Sequence, residues 1–152
     1  MEELAISQMR IVLASWGSRG EVEPLAALAR ELTRRGHDVR MAVAPDMVEF
    51  TESAGLTAVS YGPKWRSFAH AYRDYWTFFF RYPWRLRKLG RMWREVSEPL
   101  LECRQQVSSM LTSLAKDADL LVTGMNFEET AANVAEFHAI PLATVHWFPL
   151  RA

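Results

Sequence analysis

Strand-like apolar segments alternate with amphipathic, helix-like segments along the chain. Apolar residues without helical spacing, as in central strands covered on both faces, predict strands at residues 10–15, 38–43, 56–62, 118–124 and 141–147. Helical patterns separate each of these strands from the next. This order predicts an α/β fold, namely a Rossmann-like, doubly wound parallel sheet with helices on both faces.

The helices are predicted from apolar positions at three- and four-residue spacing. In the first helix, over residues 22–35, one apolar face contains Val22, Leu25, Leu28, Ala29 and Leu32. Because Pro24 fits only in a first turn, this helix is expected to begin at residues 21–23. The other helices are predicted at residues 46–53, 65–82, 84–116 and 127–138. Pro99 is expected to interrupt or bend the longest of them.

Composition is that of an ordinary globular domain. The chain is 49% hydrophobic and has a formal net charge of zero, which predicts one domain over residues 1–152 and no nucleic-acid partner. The single Cys103 excludes a disulfide framework, and the four histidines lack metal-ligand spacing, so no metal is expected. The acidic start is unlike a signal peptide and the apolar stretches are short, which predicts a cytoplasmic location.

Charge is distributed unevenly along the chain. Residues 64–94 contain nine of the eighteen Lys and Arg residues, eleven of the eighteen aromatic residues and a single acidic residue, Asp74. This segment therefore carries a charge of +8. Three interpretations are open: core packing with arginines lying over it, an apolar pocket for a ligand, or peripheral contact with the inner face of a membrane. RNA stacking fits less well because the segment is so apolar.

The turn after the first strand, "GSRGEVEP" at residues 17–24, lies where doubly wound sheets bind ligands. Gly17 and Gly20 permit close approach to the main chain, and a helix begins beside them. The dinucleotide motif G-x-G-x-x-G and the P-loop motif are both missing. Ser18 and Arg19 are interpreted either as phosphate contacts, or as a local turn hydrogen bond and an ion pair with Glu21 or Glu23.

The segments around this turn resemble a known family. "RIVLASWGSRGEVEPLAALARELTRRGHDV" is similar to the strand, the G-[ST]-R-G-D-V-x-P motif and the R-G-H-containing helix of GT-B fold nucleotide-sugar glycosyltransferases. The similarity lies in their N-terminal, acceptor-binding domain, in the branch of glycopeptide, glycolipid and sterol glucosyltransferases. It is close over residues 9–63 and returns at "DLLVTGMNFEETAANVAEFHAIPLATVHWFP".

The resemblance implies inverting transfer of a hexose from a nucleotide sugar, as co-substrate, to a hydroxyl of a lipid, glycolipid, sterol or glycopeptide acceptor. The acidic residue after R-G is the family's general base, which places that role on Glu21, where aspartate is usual. Contacts to donor phosphates are expected in the turn at Gly17, Ser18, Arg19 and Gly20. Acceptor binding is expected at Trp65, Phe68, Tyr72, Trp76, Asn126 and His146.

Alternatives stay open at several of these positions. Glu21 could simply complement a helix dipole, and the dipole and burial shift its pKa in opposite directions. Asn126 could instead cap the following helix, His146 could be a satisfied near-core residue, and Glu128 or Glu129 could face the cleft.

The resemblance also assigns the nucleotide sugar to a second, C-terminal domain that residues 1–152 lack. The lone domain is therefore expected to be inactive without that domain or a separate chain. The alternative function is a non-catalytic binding or partner module that retains the fold.

Overall fold

The computed structural model describes residues 7–147. Its first half contains β1 Arg10–Ser15, α1 Arg19–Arg34, β2 Asp38–Val43, a short 3-10 turn Pro45–Met47, α2 Val48–Ser53 and β3 Thr57–Ser60. Its second half contains α3 Trp65–Arg81, α4 Leu86–Ala115, β4 Leu120–Thr123, α5 Glu128–His138 and β5 Leu142–Thr144.

The five strands form one parallel sheet in the order β3-β2-β1-β4-β5. In the centre, Leu13 of β1 pairs with Met41 of β2 and with Val122 of β4. The chain order reverses between β1 and β4, which makes this crevice the topological switch point of the sheet. The predicted doubly wound α/β architecture is confirmed.

Both faces of the sheet are covered, and alternate residues of β1 point to different layers. Ile11 and Leu13 pack with α1 residues such as Leu25, whereas Val12 and Ala14 pack with residues of α4 and α5. All four of these β1 residues are at most 3% exposed. Burial on both faces explains why the strand is an unbroken apolar run and does not alternate with polar residues.

The expected helix start near Pro24 is wrong, and the interruption considered at Pro99 is not seen. Helix α1 begins at Arg19, so Pro24 is its sixth residue and removes the amide that would bond the carbonyl of Gly20. The earlier start is stabilised by a cap on Ser18, described below. Helix α4 likewise runs without interruption through Pro99. Tertiary packing on either side of this proline, at buried Val96 and Val107, outweighs the lost hydrogen bond.

Within residues 7–147, no helix has both the length and the apolar character that a bilayer crossing requires.

Candidate functional site

The turns that follow β1 and β4 meet at the switch point. Asn126, from the turn after β4, donates through Nδ2 to the backbone carbonyl of Trp16 at 2.9 Å and to Oε1 of Glu21 at 3.2 Å. Trp16 follows β1 directly, and Glu21 lies in the first turn of α1. One amide side chain therefore links both sides of the crevice and contacts the carboxylate predicted to be catalytic.

The other carboxylate oxygen of Glu21 is also engaged. The backbone N–H of Ser18, the N-cap residue of α1, donates to Oε2 of Glu21 at 2.9 Å. The hydroxyl of Ser15 donates to the backbone carbonyl of Glu21 at 3.1 Å. The Ser-x-x-Glu spacing is that of a capping box, in which the third helical residue reaches back to the cap. The carboxylate is thus held in one position by its own chain.

Gly17 is required by this arrangement. A Cβ atom at Gly17 would overlap Oε2 of Glu21, because the carboxylate folds back over the glycine. Gly20 has more room, since its nearest neighbour would be the Ser18 hydroxyl at 3.6 Å. The space beside the Gly17 main chain, which was expected to admit a ligand phosphate, is therefore occupied by the Glu21 carboxylate. The role of the turn in binding phosphate stays a prediction.

Burial decides the direction of the Glu21 pKa. Partial removal from water raises the pKa of the Glu21 carboxyl above 4.5, and the hydrogen bonds from Ser18 and Asn126 oppose this shift without cancelling it. Desolvation within this chain therefore outweighs the two hydrogen bonds to the carboxylate. A raised pKa makes a carboxylate a better proton acceptor.

A cavity of about 640 Å³ lies beside this carboxylate. Its walls come from the end of β1, the turn after β4, and helices α4 and α5; among the lining residues are Trp16, Leu100, Leu101, Met125, Asn126 and Phe127. Glu21 does not itself line the cavity, but its carboxylate accepts a hydrogen bond from Asn126, which does. Mostly apolar walls with a few polar groups suit a hydrophobic ligand that carries a hydroxyl.

Two acidic residues at the start of α5 also line the cavity. Glu129 forms an ion pair with Arg104 of α4, with Oε2 and Nη2 2.7 Å apart. Glu128 lies 3.6 Å from Nε2 of His146 through its Oε2. Either one was a sequence candidate for facing the cleft, and both line this cavity. The Nδ1 atom of His146 is buried and has no hydrogen-bond partner within residues 7–147.

Several predicted residues have other neighbours than expected. The Nε atom of Arg19 lies 3.3 Å from Oε2 of Glu23, and its guanidinium lies 4.6 Å from the ring centre of Phe50. The ion pair with Glu23 is thus the interpretation that the structure shows. The expectation that Asn126 caps α5 is wrong, because Phe127, with a φ of 59°, occupies that position.

The four aromatic residues expected to bind acceptor lie on α3. Trp65 and Phe68 pack against the Trp16 ring, with centroids 5.2 and 5.3 Å apart. Tyr72 and Trp76 continue the same row along the helix. The cavity beside Glu21 is lined by other described residues, so acceptor binding by these four stays a prediction.

Sequence reasoning missed Trp16. Its carbonyl accepts from Asn126, its indole Nε1 donates to the carbonyl of Pro63 at 2.7 Å, and its ring contacts Phe127 at 5.3 Å. The signal was present, because an aromatic residue directly after a central strand must lie at the ligand edge of the sheet.

Within residues 7–147, no three His, Cys, Asp or Glu side chains are grouped so that they could hold a metal ion.

Comparison with known proteins places these features in context. The model of the glycosyltransferase family 28 N-terminal domain matches residues 11–149. An uncharacterized glycosyltransferase of Mycobacterium tuberculosis (strain ATCC 25618 / H37Rv) is 44% identical over 144 residues, which are 95% of this chain and 34% of that protein. The chain thus spans about one third of the length of this relative.

Two further likenesses are partial. The vancomycin aglycone glucosyltransferase of Amycolatopsis orientalis is 46% identical over 59 residues, 39% of this chain and 14% of that protein. The crystal structure of the calicheamicin glycosyltransferase CalG4 superposes with a TM-score of 0.66 at 18% identity, covering 93% of this chain and 33% of that one. The second likeness shows a shared fold.

Proposed function

The chain belongs to the glycosyltransferase family 28 N-terminal domains, of GT-B fold, and from this premise we propose that it is the acceptor-binding domain of an inverting hexosyltransferase with Glu21 as general base. The observation that carries the proposal is the carboxylate of Glu21, held by Ser18 and Asn126 at the switch point beside a cavity of about 640 Å³. The nucleotide sugar is a co-substrate in this proposal, and no cofactor or metal takes part.

The reaction needs one base. The acceptor hydroxyl oxygen attacks the anomeric carbon of the sugar, the bond from that carbon to the phosphate oxygen breaks, and the nucleoside diphosphate leaves. The hydroxyl proton passes to the Glu21 carboxylate, whose raised pKa favours proton uptake. A single displacement inverts the anomeric carbon and requires no second carboxylate, unlike most glycoside hydrolysis.

The preorganised position of Glu21 supports this role. Both oxygens already accept a hydrogen bond, and each keeps a further lone pair for a substrate proton. Asn126 both lines the cavity and donates a hydrogen bond to Glu21. An acceptor that contacts Asn126 in the cavity would therefore lie next to a residue that contacts the base. Asn126 is thus a positioning residue.

The acceptor is proposed to be a hydrophobic alcohol, such as a lipid, glycolipid, sterol or glycopeptide. The mostly apolar cavity walls, with a few polar groups among them, support this class. The similarity to the vancomycin aglycone glucosyltransferase, over 59 residues, is compatible with a glycopeptide acceptor. We further propose that the donor binds mainly to a C-terminal domain or a separate chain, without which this domain transfers little or no sugar.

The test joins this chain to a donor-binding C-terminal domain, its own or that of the Mycobacterium tuberculosis relative, and measures hexose transfer to a panel of apolar alcohols by mass spectrometry. We expect Glu21→Gln to lower kcat/KM by about 10²- to 10⁴-fold. Glu23→Gln is the matched control, because Glu23 lies on the same helix but is exposed and pairs with Arg19. Equal transfer by Glu21→Gln and wild type would refute the base assignment.

A second candidate function has one observation in its favour. Since both oxygens of Glu21 bond within the chain, the carboxylate also suits a purely structural cap in a binding module without catalysis. In that case Glu21→Gln lowers the midpoint of thermal unfolding. When joined to the donor-binding domain, neither the wild-type chain nor the Glu21→Gln variant transfers sugar in the same assay.

A further inference from the structure

Exposed apolar and cationic side chains are concentrated at the tip of the helical hairpin formed by α3 and α4. This hairpin tip, residues 75–94, contains six Lys and Arg residues and no acidic residue. Four of the seven exposed large hydrophobic side chains of the described chain also lie there: Phe80, Trp84, Leu86 and Trp93. Phe80, Trp84 and Leu86 are 77%, 71% and 74% exposed.

The cations of the tip are not neutralised by the chain. Arg94 lies 4.0 Å from a carboxylate oxygen of Glu98. The other five form no ion pair with a carboxylate within residues 7–147: Arg81, Arg85, Arg87, Lys88 and Arg91. Three of these lie over a ring instead. Lys88 Nζ is 4.5 Å from the centre of Phe78, and the Arg81 and Arg85 guanidiniums are 5.7 and 5.6 Å from that of Tyr82. The positive charge of the tip is therefore available to an external partner.

The tip extends away from the sheet. Helix α4 packs on the sheet through Val107, Leu111 and Ala115, which belong to one core cluster. With a rise of 1.5 Å per residue, Leu86 lies about 30 Å along the helix from Val107. At the tip α4 packs against α3, as the contact of the Tyr75 and Trp93 rings at 5.2 Å shows. The tip, where α3 and α4 pack against each other, therefore lies far along α4 from the residues that pack on the sheet.

A row of aromatic rings connects the tip to the candidate site. Phe68, Tyr72, Trp76 and Phe80 follow one another at four-residue spacing on α3, with successive centroids 5.4, 6.0 and 5.8 Å apart. At its inner end, Phe68 contacts the Trp16 ring at 5.3 Å. An apolar track thus leads from Phe80, which is 77% exposed, to the edge that carries Glu21.

We propose that the hairpin tip docks on a membrane surface rich in anionic lipid. Phe80, Trp84 and Leu86 enter the boundary between headgroups and acyl chains, and the flanking arginines and Lys88 contact lipid phosphates. Docking does not depend on the base assignment. If the proposed function also holds, the aromatic track gives a lipid-borne alcohol a route towards Glu21.

Charge complementarity selects this occupant over the others. A second copy meeting the tip with its own tip would bring two acid-free, cationic surfaces together. Nucleic acid would neutralise the cations but leave aliphatic Leu86 without an apolar contact. An anionic bilayer supplies phosphates and apolar tails in adjacent layers, in the order in which the tip presents cations and apolar groups.

The experiment measures co-sedimentation of the 152-residue chain with vesicles of phosphatidylcholine alone and of phosphatidylcholine mixed with phosphatidylglycerol. We expect binding to the mixed vesicles that weakens as salt is added. The variant Phe80→Ser/Trp84→Ser/Leu86→Ser is expected to lose at least about tenfold in affinity, and so is Arg85→Gln/Arg87→Gln/Lys88→Gln. Phe137→Ser is the matched control, since Phe137 is 75% exposed but lies on α5.

Each outcome decides the proposal. Vesicle binding that is lost in both tip variants and kept in Phe137→Ser supports it, provided that circular dichroism shows the native fold. If the apolar variant misfolds, the charge variant decides by itself. No binding to mixed vesicles at low salt, or equal binding to both vesicle types, overturns docking on anionic lipid. Tip-dependent dimerisation or RNA binding without vesicle binding overturns it as well. Because no donor sugar is present, failure here leaves the glycosyltransferase proposal untouched.

Discussion

The switch-point edge, formed by the turns after β1 and β4 with Glu21 and Asn126, differs from the hairpin tip in how its side chains find partners. At the edge, the Glu21 carboxylate accepts hydrogen bonds from Ser18 and Asn126, and Gly17 leaves room for it. At the tip, five cations meet no carboxylate of residues 7–147, and three apolar side chains are more than 70% exposed. At the edge, the Glu21 carboxylate is thus paired within the chain, whereas most cations of the tip and its three most exposed apolar side chains remain open to another surface.

The contrast fits two different proposed roles, a preorganised base at the edge and a docking surface at the tip. A group that must accept a proton in one geometry benefits from neighbours that fix it before substrate arrives. A surface that must meet a fluid, variable partner needs exposed cations and apolar groups, and has no use for a fixed internal network. The same domain can hold both because the sheet fixes the edge while the long α4 carries the tip away from it.

The largest expected effect tests whether the tip is independent of the core. Leu111 of α4 is fully buried and belongs to the core cluster that covers one face of the sheet. Leu89, in the hairpin tip, is buried but belongs to neither core cluster. We expect Leu111→Ala to lower the free energy of unfolding by about 3–5 kcal/mol and Leu89→Ala by about 2 kcal/mol or less.

Denaturant unfolding followed by circular dichroism measures both values. Equal losses would show that Leu89 is packed as tightly as Leu111, and the proposed contrast between the packing of the two regions would be lost.

The next effect tests how tightly the edge is built. Gly17→Ala places a methyl group against Oε2 of Glu21 and is expected to cost about 1–3 kcal/mol of unfolding free energy. Gly20→Ala is the matched control: its methyl group makes only an ordinary contact with the Ser18 hydroxyl, and it is expected to be neutral or stabilising by up to about 1 kcal/mol.

A double-mutant cycle assigns the cost to the carboxylate. In a Glu21→Ala background the overlapping oxygen is gone, so the penalty of Gly17→Ala should shrink. An unchanged penalty would mean that the backbone, and not Glu21, excludes a side chain at Gly17.

The sequence predicted the centre of the sheet well because the central strands are buried on both faces. The runs at residues 10–15 and 118–124 have no solvent face, so their apolar character alone identifies them as central. The predictions were less accurate for the helices that contain Pro24 and Pro99. Intrinsic helix propensity accounts for the local cost of a proline, but it does not include the cap at Ser18 or the packing of Val107, which offset that cost.

The candidate site was predicted only in part for a related reason. Glu21 lies in a recognisable turn, so its position could be read from neighbouring letters. Its partner Asn126 is 105 residues away, and the bond between them exists only because β1 and β4 are adjacent. Sequence spacing carries no record of such a contact, so Asn126 was interpreted as a helix cap or an acceptor contact.

The smallest expected effect is the pH dependence of the unfolding free energy that the Glu21 carboxyl causes. Because burial raises the Glu21 pKa in the folded state, the folded protein holds the proton more tightly than the unfolded chain does. Stability from this group is full below the unfolded pKa, near 4.5, and falls as pH rises through the folded pKa. Glu21→Gln removes that fall, so its unfolding free energy relative to wild type should rise with pH from about 4.5 upward.

Asn126→Ala sharpens the same measurement. The Asn126 amide lowers the Glu21 pKa, so without it the folded pKa rises further and the loss of stability should continue to higher pH. Glu23→Gln, on the same helix, is the control for altered net charge. Urea unfolding at a series of pH values measures all three differences. A difference between Glu21→Gln and wild type that falls with pH would mean that the hydrogen bonds from Ser18 and Asn126 outweigh burial, and that the edge stabilises the charged carboxylate instead of priming it to take up a proton.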